Sequence, residues 1–307
     1  MTRTHLAEWA HERFPLGNGV FFVLLYVLAL VVGRSVVSGP IVLSWHDLPG
    51  VAALWSFFLW LRVLDEHKDF ENDRVAHPQR VLQRGLVTLG DLRVVGAASL
   101  VVQLALSVWI DGGVGLVTLW WLAAFVWSLL MAREFFVREW LRRHLMWYAL
   151  SHMVVMLLLV AWVATMGARV AARSPATWTL AALVFASGLA FEMGRKMRAP
   201  EHEHPLADSY TQALGVRAAT LVLSAVIAIV LGLTMVTTVV VSERVPLLVF
   251  AAGVVGLALA LAVLTQFRQR PVPAAAKRVE AGVGLSILAM HGALLASVLY
   301  ARSISWR

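Results

Sequence analysis

Nine apolar stretches follow one another along the chain, separated by shorter polar segments. They cover residues 19–37, 48–64, 94–110, 113–132, 145–168, 176–193, 218–241, 245–267 and 281–301. A helix needs ~20 apolar residues to cross a bilayer, and most of the nine reach that length, although the second and sixth are short. The pattern predicts an all-α, multi-pass membrane protein with nine transmembrane helices.

Basic residues are distributed unevenly between the two ends of these helices. With the N-terminus in the cytoplasm, cytoplasmic segments carry 20 of the 26 Lys and Arg residues, and outer segments carry six. Such a bias predicts a cytoplasmic N-terminus in a cell (inner) membrane, with the chemistry on the cytoplasmic face. Residues 1–17 would then be a cytoplasmic tail, with Leu6, Trp9 and Ala10 on one side of an interfacial helix.

Composition narrows the possible chemistry. Hydrophobic residues make up 60% of the 307 residues and charged residues 14%, far from a soluble composition. The net charge of +8 reflects the cytoplasmic loops and does not indicate nucleic-acid binding. The chain has no cysteine, which excludes disulfides, thiolate metal sites and a cysteine nucleophile.

The most unusual polar stretch follows the second apolar stretch. Five carboxylates lie within residues 65–73, here called the acidic segment: Asp65, Glu66, Asp69, Glu71 and Asp73. If the preceding helix continues, Asp65, Asp69 and Asp73 share one face over ~12 Å, where like charges repel. They also lie at the C-terminal end of a helix, which disfavours negative charge. This doubly unfavourable pattern predicts that a cation binds there; the alternative is a solvated loop of mixed charge.

A second polar stretch follows the sixth apolar stretch. It begins with Glu192 and turns basic at Arg195, Lys196 and Arg198; residues 192–198 are here called the basic segment. Both stretches lead into a helix start with a capping signal, Thr88-x-x-Asp91 in one and Asp208-Ser209 in the other, so the chain reads as a repeated four-helix unit plus a ninth helix. An acidic and a basic segment on the same membrane side would suit a polyanion, held partly through Mg²⁺ and partly by direct cation contacts.

These residues resemble the UbiA-type superfamily of intramembrane aromatic prenyltransferases. The family motif N-D-x-x-D-x-x-x-D is matched by Asp65-Glu66-x-x-Asp69-x-x-x-Asp73, and the R-P-L-x-x-G-type segment by Arg80-Val81-Leu82-Gln83-Arg84-Gly85. Asp208-Ser209-Tyr210-Thr211 resembles the run into the seventh helix. The second family motif, D-x-x-x-D, is not matched, because this chain has Glu192-x-x-x-Lys196.

The resemblance implies one nine-helix domain over residues 1–307, with cytoplasmic active-site loops at 65–93 and 192–217. It implies transfer from a prenyl diphosphate to an aromatic or other small acceptor, with Mg²⁺ assistance and the prenyl chain lying among aromatic helices open to lipid. The implied metal ligands are Asp65, Glu66, Asp69, Asp73 and Glu192, of which Asp69, Asp73 and Glu192 would be catalytic. The implied phosphate contacts are Arg80, Arg84, Arg133, Lys196 and Arg198.

Two other functions remain open from the residues. Lys196 and the extra arginines would also suit phosphoribosyl-type transfer to a polyprenyl phosphate, and the altered second motif would permit a non-catalytic or transport protein on the same fold. The intramembrane His152 and His291 are expected to be structural. The run Glu201-His202-Glu203-His204 is expected to be a solvated loop rather than a metal site.

Overall fold

All nine predicted apolar stretches lie on helices in the computed structural model, which describes residues 3–15, 17, 19–203, 208–242 and 245–307. The helices are α1 (Arg3–Arg13), α2 (Gly19–Ser35), α3 (Leu48–Ala76), α4 (Leu89–Asp111), α5 (Leu116–Ala132), α6 (Arg138–Arg143), α7 (Leu145–Gly167), α8 (Pro175–Arg195), α9 (Tyr210–Ser242), α10 (Leu247–Gln269) and α11 (Pro273–Ala301). Two short strands, β1 (Ile41–Leu43) and β2 (Ile304–Trp306), pair in parallel. The prediction of an all-α architecture is confirmed apart from this small strand pair.

Seven helices in the described part of the chain are long and apolar enough to cross a membrane: α3, α4, α7, α8, α9, α10 and α11. The other two apolar helices, α2 and α5, have 17 residues each. The chain is therefore a multi-pass membrane protein. The nine-span topology and the cytoplasmic N-terminus stay predictions.

The chain divides into two compact units. The first comprises Met1–Val27 and Ser44–Arg138, and the second comprises Leu28–Leu43 and Glu139–Arg307. In the first unit, α3 packs along α4, and polar groups pair within the apolar interior. The indole of Trp60 donates to Ser128 Oγ at 2.9 Å, and that of Trp121 donates to Gln103 Oε1 at 3.0 Å.

In the second unit, small residues let helix backbones approach closely. A Cβ added to Gly33 of α2 would lie 2.2 Å from the carbonyl oxygen of Ala164 on α7, so only glycine fits there. Buried polar groups are again paired across helices. Ser286 on α11 donates to the Gly256 carbonyl on α10 at 2.8 Å, and Ser187 and His291 lie 3.1 Å apart. His291 therefore has the structural setting expected of it.

Local sequence fixes the elements that carry the candidate site. Helix α3 ends at Ala76 because the next residue, His77, precedes a proline, and the residue before proline disfavours helical backbone. Helix α4 begins after Thr88, whose side chain accepts from the Asp91 amide at 3.1 Å while the Asp91 carboxylate accepts from the Thr88 amide at 2.9 Å. The predicted capping box is thus present.

Candidate active site

The acidic segment lies on a helix, because α3 continues for twelve residues past the end of the predicted apolar stretch. Its three aspartates therefore recur once per turn on neighbouring positions of one helix face, as the spacing predicted. Residues 65–76 of the proposed active-site loop are thus helical. The irregular part begins at His77, whose amide donates to the Asp73 carbonyl at 2.8 Å and ends the helix.

The carboxylates of the acidic segment differ in how they are neutralised. Glu66 is 1% exposed, and its Oε1 accepts from Arg13 Nε at 2.5 Å. Asp73 Oδ2 accepts from Arg80 at 2.5 Å and lies 3.5 Å from Arg13. Asp65 is half exposed and has looser partners, Arg62 at 3.8 Å and Lys68 at 3.7 Å. The segment therefore carries two tightly compensated carboxylates and one loosely compensated carboxylate.

Asp69 is the remaining carboxylate on this face. It takes part in none of the ion pairs found among the described residues, and the charges acting on it are those of Lys68, Asp65, Asp73 and Glu134. Three of these four charges repel it. A carboxylate near other carboxylates attracts cations, so Asp69 is a candidate cation ligand.

One oxygen of Glu66 also lacks a partner. Its Oε2 is buried and accepts no hydrogen bond from any described residue. A buried, unpaired carboxylate oxygen is costly, and a cation or a water that reaches it would remove that cost. This oxygen and Asp69 are three residues apart on α3, a spacing that places side chains on the same face.

The predicted phosphate-contacting arginines of the first unit are placed differently. Arg80 is mostly buried and held by Asp73, with Glu12 4.0 Å away. Arg84 is half exposed and lies 3.6 Å from Glu8. Arg133 caps the end of α5 and is exposed. Arg80 is thus preorganised beside the acidic segment, whereas Arg84 and Arg133 have more freedom.

Glu134 belongs to the same electrostatic environment and was not predicted as a site residue. It is buried, and its Oε2 lies 3.2 Å from Arg138. It starts a turn, Glu134–Phe136, in which all three residues have positive φ values of 47°, 53° and 61°. Such backbone is rare for bulky residues and costs roughly 1–3 kcal/mol each, and it often marks functional sites.

The predicted site residues of the second unit lie where α8 ends. Glu192 Oε2 accepts from Arg195 at 2.5 Å, and its Oε1 lies 3.0 Å from Lys196 Nζ. Both carboxylate oxygens are therefore paired with cations, and the assignment of Glu192 as a metal ligand stays a prediction. Lys196 is also 3.8 Å from Asp208 and lies over the ring of Tyr148, 5.4 Å from its centroid.

The start of α9 closes this cluster. The Arg198 amide donates to Thr211 Oγ1 at 3.1 Å, and Thr211 Oγ1 donates to the Arg198 carbonyl at 2.9 Å, while the Arg198 side chain is exposed. Tyr210 is 1% exposed, and its hydroxyl has no hydrogen-bond partner among the described residues, although Glu192 and Asp208 act on it electrostatically. Tyr210 is thus a second residue that the sequence did not single out.

The remaining predicted polar residues are the run 201–204 and His152. In the run 201–204, Pro200–His202 forms an exposed turn, and His204 lies outside the described residues. The His152 ring stacks on Tyr148 at 3.9 Å, and its Nδ1 lies 2.8 Å from the Tyr148 carbonyl, as suits a structural histidine. Among the described residues, no three His, Asp or Glu side chains converge closely enough to form a metal site by themselves.

Comparison with known proteins gives two full-length structural matches. The first is a structure of digeranylgeranylglyceryl phosphate synthase, with a TM-score of 0.67 and 12% identity over 97% of this chain and 99% of the other. The second is a UbiA homologue from Aeropyrum pernix K1, with a TM-score of 0.66 and 16% identity over 93% of this chain and 98% of the other. No family model and no curated protein matches the sequence. The chain therefore has the UbiA-type fold, which confirms the predicted resemblance at the level of structure.

Proposed function

We propose that this protein is an intramembrane prenyltransferase that moves a polyprenyl group from a prenyl diphosphate to an aromatic or other small acceptor, with Mg²⁺ assistance. The observation that carries the proposal is Asp69, a carboxylate without an ion pair among the described residues, placed centrally in the family-type acidic motif on a UbiA-type fold. A carboxylate without an ion pair, flanked by other carboxylates on the same helix, does not stabilise that helix. Its unfavourable setting is understandable if it binds a cation together with the substrate.

The residues of the first unit fit Mg²⁺. This ion takes oxygen ligands and usually binds through one or two carboxylates, with substrate phosphates and water completing its coordination. Asp69 and the loosely paired Asp65 can supply such carboxylates, and the unpaired Oε2 of Glu66 is a further oxygen. When bound, Mg²⁺ would neutralise charge on the diphosphate leaving group.

The protein's own cations have a parallel role. Arg80 is held by Asp73 with its guanidinium beside the acidic segment, so it can bind a diphosphate oxygen with little ordering cost. Arg84 and Arg133 are exposed enough to reorient towards phosphate. In the second unit, Lys196 and Arg198 supply positive charge. Cations placed where negative charge develops lower the barrier to loss of diphosphate from the allylic carbon.

Glu192 is better described as an anchor than as a metal ligand. It positions Arg195 and Lys196 by pairing with both, within 2.5 and 3.0 Å. The second unit thus carries a cationic group where the family motif carries a second acidic pair. We infer that direct cation contacts replace metal coordination in this unit.

The prenyl chain needs an apolar path that tolerates a developing carbocation. Aromatic residues of α3 and α5 in the first unit supply one: Trp60 lies 6.0 Å from Phe125, and Trp121 stacks on Phe125 at 5.5 Å. Aromatic faces stabilise cations through their quadrupole, and their hydrocarbon character accommodates an isoprenoid chain.

The availability of Lys196 bears on the phosphoribosyl alternative. That alternative has a more highly phosphorylated donor and needs more positive charge than a diphosphate does, and Lys196 already shares its charge with Glu192 at 3.0 Å and Asp208 at 3.8 Å. This pairing favours the prenyl diphosphate as donor. The same ion pairs do not support a transport function. A transport protein would give no product in the assay described below.

The test is a prenyl transfer assay on membranes containing the protein, with labelled prenyl diphosphates, a panel of aromatic acceptors, and Mg²⁺ or EDTA. We expect product that depends on Mg²⁺ and falls at least about a hundredfold in Asp69→Asn. The matched control is Glu71→Gln, which removes the same charge from the same helix at a side chain that is 70% exposed. Equal activity of Asp69→Asn and Glu71→Gln would refute the role of Asp69, and phosphoribosyl transfer in its place would establish the alternative.

A further inference from the structure

The N-terminal helix α1 is docked onto the region that carries the acidic segment. The side chain of Trp9 is buried in an apolar cluster of the first unit formed with Val63, Val81, Leu82, Val87 and Leu92. Burying a tryptophan in this way stabilises docking by several kcal/mol, roughly 4 kcal/mol by transfer of ~150–200 Å². Helix α1 is therefore an integral part of the first unit rather than a loose tail.

Polar contacts fix the register of α1 around this apolar anchor. Glu12 Oε2 accepts from the Val81 amide at 3.1 Å, and Glu8 lies 3.6 Å from Arg84. The contact from Glu12 is to a backbone amide of the segment after α3, so it fixes the position of α1 relative to the backbone of that segment. The position of the next residue of α1, Arg13, is thereby defined.

Arg13 places its guanidinium between two carboxylates of the acidic segment. Its Nε donates to Glu66 Oε1 at 2.5 Å, and its NH2 lies 3.5 Å from Asp73 Oδ2. Glu66 is almost fully buried, and a buried carboxylate is tolerated only when a partner compensates its charge. Arg13 is that partner, although it is separated from Glu66 by 53 residues in the sequence.

We propose that Arg13 takes the place of a second divalent cation at the acidic segment and so limits this site to one metal ion. The proposal rests on the Mg²⁺ role in the proposed function. Arg13 uses one oxygen of Glu66 and shares Asp73 with Arg80, which leaves Asp69, the loosely held Asp65 and the unpaired Glu66 Oε2. One or two carboxylates, with water or phosphate completing the coordination, are what a single ion of this kind usually takes from a protein, so these oxygens leave no second set of ligands.

The experiment counts Mn²⁺ ions bound by the purified, detergent-solubilised full chain, using electron paramagnetic resonance of the free ion in the absence of prenyl substrate. Wild type is expected to bind one equivalent. Arg13→Gln and the apolar Arg13→Met remove the positive charge and are expected to bind two, a doubling. Arg13→Lys keeps the charge and is expected to bind one. Arg74→Gln is the matched control, because it removes the same charge from a side chain of α3 that is 64% exposed.

Each outcome decides the proposal. Two equivalents in both charge-removing variants, with one in wild type, Arg13→Lys and Arg74→Gln, would support it. One equivalent in folded Arg13→Gln and Arg13→Met, two in wild type, or none in any protein would overturn it. Since binding is measured without substrate, a negative result here leaves prenyl transfer to be judged by its own assay, and a failed transfer assay leaves the Mn²⁺ count intact.

Discussion

Replacing Tyr210 by phenylalanine removes a single hydroxyl from the second unit and leaves the ring in place. The side chain is 1% exposed, and the hydroxyl has no hydrogen-bond partner among the described residues. A buried polar group without a partner costs about 1–3 kcal/mol relative to its hydrated state. Tyr210→Phe removes that cost and disturbs no described hydrogen bond of the side chain.

The expected result is therefore a gain in stability from deletion of a polar atom, which is the reverse of the usual effect of a core substitution. We expect about 1 kcal/mol, or a rise of roughly 2 °C in the apparent unfolding temperature in detergent. Tyr300→Phe serves as control, because Tyr300 is 88% exposed and its hydroxyl is hydrated. A fall in unfolding temperature for Tyr210→Phe, with no change for Tyr300→Phe, would refute the reasoning.

A second measurement asks whether the hydroxyl is reserved for a ligand. If substrate phosphate or its hydration water reaches Tyr210, magnesium pyrophosphate will raise the unfolding temperature of wild type more than that of Tyr210→Phe. The variant would then be more stable alone and less stabilised by ligand. Equal stabilisation of both proteins would show that the hydroxyl serves no ligand phosphate.

Two further substitutions test the docking of α1 and the pairing of the basic segment. Trp9→Ala should lower the apparent stability by about 3–5 kcal/mol and expose α1 to limited proteolysis. Replacement of the exposed Trp147 by alanine should do neither. If α1 of the Trp9→Ala variant stays protected from proteolysis, the docking of α1 through Trp9 is contradicted. Lys196→Asp should lower the unfolding temperature in EDTA, because it replaces the ammonium 3.0 Å from Glu192 by a carboxylate of the same charge as Glu192. Mg²⁺ should restore the unfolding temperature by binding between the two carboxylates. If Mg²⁺ fails to do so, position 196 is not one from which a carboxylate can bind metal.

Much of the fold could be predicted from hydrophobic patterning. The apolar stretches coincide with helices because a segment in lipid must satisfy its backbone internally, so length and hydropathy nearly determine the element. The continuation of α3 through the acidic segment was also predictable from the four-residue spacing of its aspartates. Its end before Pro78 and the Thr88 cap at the start of α4 follow from local rules.

The residues that the sequence did not reveal are those whose role depends on distant contacts. Arg13 reads as one of many basic residues expected on the cytoplasmic side, and only the docking of Trp9 brings it to Glu66. Glu134 reads as the neighbour of a basic anchor, and its burial depends on a left-handed turn of three non-glycine residues. Neither the register of a docked helix nor a positive-φ turn without glycine has a signature in a single sequence.

The second unit shows how a departure from the family motif is compensated. From the sequence, Lys196 was predicted to replace a carboxylate, and Glu192 was predicted to remain a metal ligand. The structure pairs both Glu192 oxygens with Arg195 and Lys196, which is the basis of our proposal that Glu192 acts as an anchor. A lysine one turn after a carboxylate can pair with it and neutralise its charge. We therefore expect Glu192 to act together with Lys196 rather than alone.

The same reasoning ranks the carboxylates of the acidic segment. Those with tight cationic partners, Glu66 and Asp73, have part of their charge compensated before any metal arrives, and their substitution would mainly release Arg13 and Arg80. Asp69 forms no ion pair among the described residues, and only the more distant charge of Lys68 offsets it, so more of its charge is available to an incoming cation. We therefore propose that fewer residues of the motif bind metal than its number of carboxylates suggests. Loss of activity should be greatest at Asp69, because it is the aspartate of this face that forms no ion pair among the described residues.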